Sequence, residues 1–355
     1  MDEEMNNIKT RIIRIDPISP EENKIKEVSE VIKKGGLVAF PTETVYGLGA
    51  NCYDEDAILR IFRVKGRPPD NPLIVHISNL DMLKEVSEEI PELAYRIANV
   101  AWPGPITVVM KKSKRVPYAV TGSLDTVAVR MPAHPVALKL IDKSEVPIAA
   151  PSANLSGKPS PTNAMHVITD LFNKIDTIID SGETFFGVES TIIDVTRDVP
   201  ILLRPGPFTV EELQEKIGIK VEIPKVARGI SEAEKALAPG MKYRHYAPKA
   251  KMVLVTGNCI EEIVTKAITI SRRERVKSIV LSTDETLEYY VQEKVAAISL
   301  GTRKNLYSIA KNLYSKLREC DEKEVELIIC ESFEERGIGL AIMNRLRKAS
   351  GGKIV

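Results

Sequence analysis

The sequence predicts an α/β protein in two units, the first on a sheet of mixed strand direction and the second on a small parallel, Rossmann-like sheet. Three observations carry this expectation. Short β-branched runs alternate with helical patterns as far as Ile223. The stretch from Pro224 to Ala250 is rich in Pro, Gly, Lys and Arg and keeps no period, as an interdomain linker does. Strand–helix alternation then resumes from Met252 onwards. At 355 residues the chain is long for one average domain and comfortable for two.

Ser19-Pro20-Glu21-Glu22 reads as an N-cap, a proline at the first helical position and a capping-box glutamate. Ile25, Val28, Val31 and Ile32 follow at helical spacing, and Gly35-Gly36 ends the helix. Leu37–Phe40 is a short buried strand, Asp54 opens the next helix, and Leu73–Ile77 is a strand. Further strands are expected at Ile106–Met110, Thr126–Met131, Ile148–Ala150, Thr177–Ile179, Ser190–Val195 and Ile201–Leu203. Helices are expected among them at Pro91–Ala101, Pro135–Ile141 and Asn163–Phe172. The second unit runs strand Met252–Val255, helix Ile260–Arg273, strands Ser278–Leu281 and Ala296–Ser299, helix Asn305–Arg318, strand Glu326–Cys330 and helix Ile338–Lys348.

Hydrophobic residues make up 43% and charged residues 28%, an ordinary globular balance. The net charge of +1 excludes a whole-surface basic field for coating nucleic acid and leaves room for a local basic cavity. Cys52, Cys259, Cys320 and Cys330 are scattered without a CxxC pair, which favours reduced thiols over a zinc site or disulfide framework. The N-terminus is polar and lacks a signal-peptide core, and no apolar run is long enough for a membrane span. A cytoplasmic protein is expected.

The loop KGRPPDNP, Lys65 to Pro72, joins a helix to a strand and sets two cations around one glycine. Arg can fork onto phosphate oxygens and Lys can act as a point charge, or the loop is a solvated basic turn. PTETVYGLGAN, Pro41 to Asn51, contains Gly47-x-Gly49, but Cys52 stands where a dinucleotide fingerprint needs its third glycine. What remains is a strand-end loop offering the hydroxyls of Thr42 and Thr44. Arg130 ends the strand TVAVR, and Arg204 ends ILLR. Ala150 to Thr162, APSANLSGKPSPT, is dense in hydroxyls and amides and suits phosphate or ribose, or is a plain polar loop. His76 within LIVHI reads by itself as a core histidine. No Ser-His-Asp order, metal-ligand cluster or carboxylate pair stands out, so catalysis by alignment and charge is expected.

The succession PTETVYGLGAN, KGRPPDNPL, RMP, PSANLSG, STIID and LRPGPF resembles the YrdC-like domain, in order. PGMKYRHYAPKA and GIGLAIMNRLRKAS resemble the linker and tail of its longer members, the threonylcarbamoyl-AMP synthases. The resemblance implies residues 11–223 as a YrdC-like twisted mixed sheet with helices around a basic cavity, 224–250 as a linker contacting the active site, and 251–355 as the Rossmann-like unit. It also implies a reaction: L-threonine, bicarbonate or CO2, and ATP give threonylcarbamoyl-AMP and pyrophosphate. A separate tRNA threonylcarbamoyl transferase complex would use the product, with weak or no direct tRNA binding by this chain.

Carried over, Thr42, His76, Arg130, Ala150 and Ser190 match threonine-binding positions. Lys65, Arg67, Asn71, Thr126, Ser152, Asn154, Ser160, Arg204 and Tyr243 match the nucleotide side, with Lys65, Arg67, Ser152 and Asn154 as the catalytic set. Mg²⁺ is expected on the phosphates rather than on protein side chains. Two other readings are a carbamoyltransferase and a non-catalytic RNA-binding module of the same fold. The first lacks paired-cysteine zinc fingers here, and the second lacks a dense aromatic–basic stripe.

Overall fold

The computed structural model describes residues 8–231, 235–242 and 245–355. The larger sheet holds β1 (Arg11–Arg14), β2 (Val38–Phe40), β3 (Gly47–Asn51), β4 (Ile74–His76), β5 (Ser87–Glu89), β6 (Ile106–Lys112), β7 (Thr126–Arg130), β8 (Ile148–Ala150), β9 (Thr177–Asp180), β10 (Thr191–Asp194) and β11 (Ile201–Arg204). Its order is β1-β9-β2-β3-β8-β4-β7-β6-β10-β11, with β5 paired to β6. Parallel pairs such as β1–β9, β4–β7 and β6–β10 alternate with antiparallel ones such as β3–β8 and β10–β11, so strand direction is mixed as expected. The segment read as a strand-end loop contains strand β3. It pairs antiparallel with both β2 and β8, and its glycines let Phe40 and Ile148 lie close against it.

Alternation along the central strands sends side chains to two different surroundings. Val75, Val127, Val129, Val108, Ile193 and Leu202 enter the main core, which is closed by helices such as Glu22–Lys33, Glu55–Lys65 and Pro135–Ser144. Ile74, Ala128, Val109, Ile192 and Leu203 face the other way and are covered by Ala238 and Met241. The region expected to be a linker is therefore packed down on one face of the sheet. No helix among the described residues is long and apolar enough to cross a membrane.

Helix starts follow local chemistry. Asp54 caps the helix Glu55–Lys65 by accepting from the Ala57 amide, as expected. Ser19 does not cap the first helix, which begins at Glu22. The Asp16 carboxylate instead takes the amides of Ile18 and Ser19, and Glu21 takes that of Asp16, so the chain turns before the helix begins.

The smaller sheet holds β12 (Lys251–Val255), β13 (Ser278–Ser282), β14 (Ala297–Ser299) and β15 (Leu327–Glu331), all parallel in the order β12-β15-β13-β14. Helix Ile260–Arg273 and the short helix Leu287–Gln292 bury Ile263, Val264, Ala267, Ile270 and Tyr290 in a small core of their own. Helices Leu306–Glu322 and Ile338–Ala349 share their core with Val45, Val188 and Tyr246, residues that precede the small sheet. Buried polar contacts run through the same seam. Arg318 reaches the Pro159 carbonyl at 2.6 Å and Asp170 at 2.8 Å, and Asn344 donates to the Ala227 carbonyl at 2.8 Å.

Asp170 sits between Arg318 and Lys158 with a fully buried carboxylate. Burial alone would raise its pKa, but the two cations outweigh burial and hold it below the usual carboxylate value. Its contribution is complete above the unfolded pKa of 3.8 and fades as pH falls through the lower folded value. Asp170→Asn leaves Arg318 buried without its anion, and a loss of about 3 kcal/mol is expected. Urea melts of the two proteins at neutral pH check the size, and convergence of the two stabilities in strong acid checks the cause.

Candidate active site

A cavity opens over the sheet face that the linker covers. Thr42, Thr44, Arg67, His76, Arg130, Ala150, Ser152, Glu189, Ser190, Arg204, Pro239, Gly240, His245 and Tyr246 line it, with Val45, Gly47, Ile74 and Pro151. His76 and Arg130 are the last residues of the parallel pair β4 and β7 and stand opposite each other in register. Arg204 ends β11, and Ser190 precedes β10.

Arg130 is buried and fully oriented. It pairs with Glu43 at 2.7 Å, donates to Thr44 Oγ1 at 2.8 Å, and donates from Nε to the Gly104 carbonyl at 3.3 Å. Thr42 Oγ1 lies 2.8 Å from Thr44 Oγ1 and 2.7 Å from the Val45 carbonyl, which fixes the hydroxyl pair. The His76 ring meets Phe40 edge-on at 5.9 Å, and its Nδ1 lies 3.1 Å from the Ile74 carbonyl. Burial first, and the Arg130 charge second, push its pKa down to about 3, so the imidazole is neutral at ordinary pH.

The KGR loop is built by helix termination. Gly66 ends the helix at φ +60°, a conformation that L side chains rarely adopt, and this turns Arg67 across its own hairpin. Arg67 donates from Nε to the Asn71 carbonyl at 3.1 Å and from Nη2 to the Pro72 carbonyl at 2.9 Å. Lys65 turns away from the cavity lining. Its buried ammonium donates to the Ser152 carbonyl at 2.6 Å and to the Asn154 carbonyl, stitching the two polar loops together. Burial and the neighbouring Arg67 hold its pKa well below the ordinary lysine value.

Arg204 donates to the Ser190 carbonyl at 3.0 Å, to Ser190 Oγ at 3.1 Å and to the Pro239 carbonyl at 3.2 Å. Ser190 Oγ also lies 2.8 Å from Thr107 Oγ1. Ser160 is buried beneath the lining, with its hydroxyl on Glu189 at 2.5 Å. Asn154 donates to the Leu155 and Lys158 carbonyls and shapes its loop from within. Asn71 is buried, and its amide group has no hydrogen-bond partner among the described residues. Thr126 begins β7, four residues and about 13 Å along the strand from Arg130, outside the lining. Tyr243 lies outside the described residues. The structure thus gathers Thr42, Arg67, His76, Arg130, Ala150, Ser152, Ser190 and Arg204 on one cavity and sets Lys65, Asn71, Thr126, Asn154 and Ser160 behind or beyond it.

Sequence reasoning passed over Glu43, Glu189, His245 and Arg345. Glu43 lies inside the quoted PTET motif and is the anion that Arg130 needs, a pairing no local spacing announces. The His245 ring is buried with Nε2 lacking a partner among the described residues, and burial followed by Arg67 pushes its pKa down to about 3. Arg345 carried a signal: it follows Ala341 and Ile342 by four and three residues, a charge on an apolar helical stripe.

The family model described as telomere recombination matches residues 30–206, and that described as the threonylcarbamoyl-AMP synthase C-terminal domain matches residues 208–351. Threonylcarbamoyl-AMP synthase of Pyrococcus abyssi is 51% identical over 344 residues, covering 94% of this chain and 96% of its own length. The enzyme of that name from Bacillus subtilis is 45% identical over 345 residues, covering 96% of each. The crystal structure of P. abyssi Sua5 complexed with L-threonine superposes with a TM-score of 0.90 at 49% identity, covering 98% of this chain and 99% of that one. E. coli YciO matches 56% of this chain and 96% of its own at 27% identity and a TM-score of 0.51. Sequence and fold agree over both units: the chain belongs to the threonylcarbamoyl-AMP synthases, nucleotidyltransferases of the two-domain form whose YrdC-like region precedes the C-terminal domain.

Proposed function

We propose that the chain converts L-threonine, bicarbonate or CO2, and ATP into threonylcarbamoyl-AMP and pyrophosphate. The observation that carries the reading is one cavity in which Thr42, His76, Arg130, Ala150 and Ser190 stand beside Arg67, Ser152 and Arg204. The threonine-bound relative from P. abyssi supports the amino-acid half. In this reading the Arg130 guanidinium, held by Glu43 and Thr44, receives the substrate carboxylate. The threonine amine joins CO2 with loss of a proton, or bicarbonate with loss of water, to give a carbamate. A carbamate oxygen bonds to the α-phosphorus of ATP as the bond to the bridging oxygen of the β-phosphate breaks. The electron pair leaves with pyrophosphate.

Such a displacement needs charge neutralisation and alignment from the protein rather than a covalent intermediate. Arg67 and Arg204 supply charge at the lining, and Lys65 and Asn154 hold the loop that presents Ser152. We propose that Mg²⁺ arrives on the phosphates. Glu189, which lines the cavity, and Glu43, the partner of a lining arginine, are taken up by Arg345 and Arg130, and the described residues contain no His/Cys/Asp/Glu group suited to a metal. When bound it would neutralise phosphate charge. The product is proposed to pass, in the cytoplasm, to a separate transferase complex that modifies adenosine in tRNA. The near-neutral net charge suits weak direct binding of RNA.

The assay is direct: protein, ATP, L-threonine, bicarbonate and Mg²⁺ are mixed and pyrophosphate is followed. Release that requires threonine and needs no tRNA is expected. No release, together with tight, salt-sensitive RNA binding, would replace this reading with the RNA-binding one. Arg67→Ala is expected to raise the barrier by on the order of 3 kcal/mol, about a hundredfold in kcat, while the protein still folds and melts cooperatively. Near-normal turnover in that variant removes the KGR loop from the mechanism. Because His76 is held neutral, its ring resonances are expected to stay constant by NMR from about pH 5 to 8, and an inflection there contradicts the assigned environment.

A further inference from the structure

Beyond the lining residues, one buried group joins several cavity walls. Arg345, on the helix Ile338–Ala349, has a fully buried side chain. Its Nε donates to Glu189 Oε2 at 3.0 Å, and its Nη1 donates to the Pro205 carbonyl at 2.8 Å and to Asn344 Oδ1 at 3.0 Å. Its guanidinium carbon lies 5.5 Å from the centre of the Tyr246 ring. Glu189 gathers the hydroxyls of Ser160 at 2.5 Å and of Tyr314 at 2.9 and 3.1 Å. Ser190, the next residue, carries Arg204 on its carbonyl and hydroxyl, and Pro205 directly follows Arg204. These segments have no slack, since a Cβ on Gly206 would come within 2.3 Å of the Thr191 nitrogen and 2.6 Å of the Glu189 carbonyl oxygen.

We propose that Arg345 is a positioning residue of the nucleotide half: through Glu189 and the Pro205 carbonyl it fixes Ser160 and Arg204, and this is how the C-terminal unit takes part in the reaction. The inference rests on the reading of the cavity as an ATP site. Arg345 touches no substrate in this arrangement. It acts by geometry, holding Glu189 and the Pro205 carbonyl at one separation, with the Tyr246 ring centre 5.5 Å from its guanidinium carbon. Shifts of an ångström in groups that align a phosphoryl centre are costly.

The full-length protein provides the test. Arg345→Lys keeps a charge but cannot reach the carboxylate, the Pro205 carbonyl and Asn344 together. Tyr314→Phe removes one donor to Glu189 without touching any charge. Calorimetry with a non-hydrolysable ATP analogue and, separately, with L-threonine gives the two affinities, and pyrophosphate release gives kcat and KM. In folded Arg345→Lys, kcat/KM for ATP is expected to fall on the order of 100-fold, with analogue affinity down about tenfold and threonine affinity, in which Ser190 is one contact of five, down by no more than about threefold. Tyr314→Phe is expected to shift the same parameters in the same direction by less. Unchanged ATP parameters overturn the proposal, and so does an equal loss of both affinities, which marks a structural role alone. If Arg345→Lys does not fold, Tyr314→Phe decides by the same criteria. Wild type that binds both ligands without releasing pyrophosphate would sink the synthase reading yet leave the affinity comparison decisive; wild type that binds no nucleotide overturns both.

Discussion

A cavity walled by cations has to be held together against its own repulsion. Arg67, Arg130 and Arg204 line the same hollow, with Lys65 and Arg345 buried behind it. In a medium that screens charge poorly, such a set stays folded only if anions or oriented dipoles stand at fixed places beside it. Two carboxylates answer: Glu43 for Arg130 and Glu189 for Arg345. Backbone carbonyls among the described residues add to this compensation. Carbonyls of Ser152 and Asn154 receive Lys65, those of Asn71 and Pro72 receive Arg67, and those of Ser190 and Pro239 receive Arg204. Carbonyl dipoles stabilise a cation without cancelling its charge, so the site keeps a positive field while its side chains stay ordered.

The same constraint explains why the two units do not behave as beads on a string. The segment expected to be a linker supplies Pro239, Gly240, His245 and Tyr246 to the lining and covers one sheet face with Ala238 and Met241. Tyr246 stacks on Tyr314 of the C-terminal unit with ring centres 5.4 Å apart. Gly240 passes so close that a Cβ there would fall 2.7 Å from the Tyr246 hydroxyl. Charge balance, aromatic packing and backbone approach therefore meet at one seam, and the C-terminal unit backs the wall from behind rather than hanging from it as an appendage.

Much of this was legible in the chain. Strand runs such as TVAVR and ILLR placed Arg130 and Arg204 at strand ends, and the helix–glycine–cation order of the KGR loop anticipated its turn. The period-2 rule extends further than strand ends: Ala128 and Arg130 share a face, and that face is the one the cavity occupies. What escaped was tertiary. Glu189 and Arg345 are separated by 156 residues, and neither sits in a local pattern that names the other. The linker looked structureless because its burial follows from contacts with two other segments and not from a period of its own. Ser19 looked like a cap because Asp16, the better competitor for nearby amides, lay three residues upstream.

The pairing of β1 with β9 sets a timetable for making the protein. Thr10 closes onto the Ile175 carbonyl across 165 residues, so the first strand leaves the ribosome long before its neighbour exists. At about 5–20 residues per second that interval is roughly 8–33 s. During it β1 is an unpaired edge, the kind of segment that recruits other chains. Its sequence, Arg-Ile-Ile-Arg, brackets two apolar residues with like charges and is short, which keeps it soluble while it waits. The strand that completes one border of the larger sheet is thus built to tolerate being early.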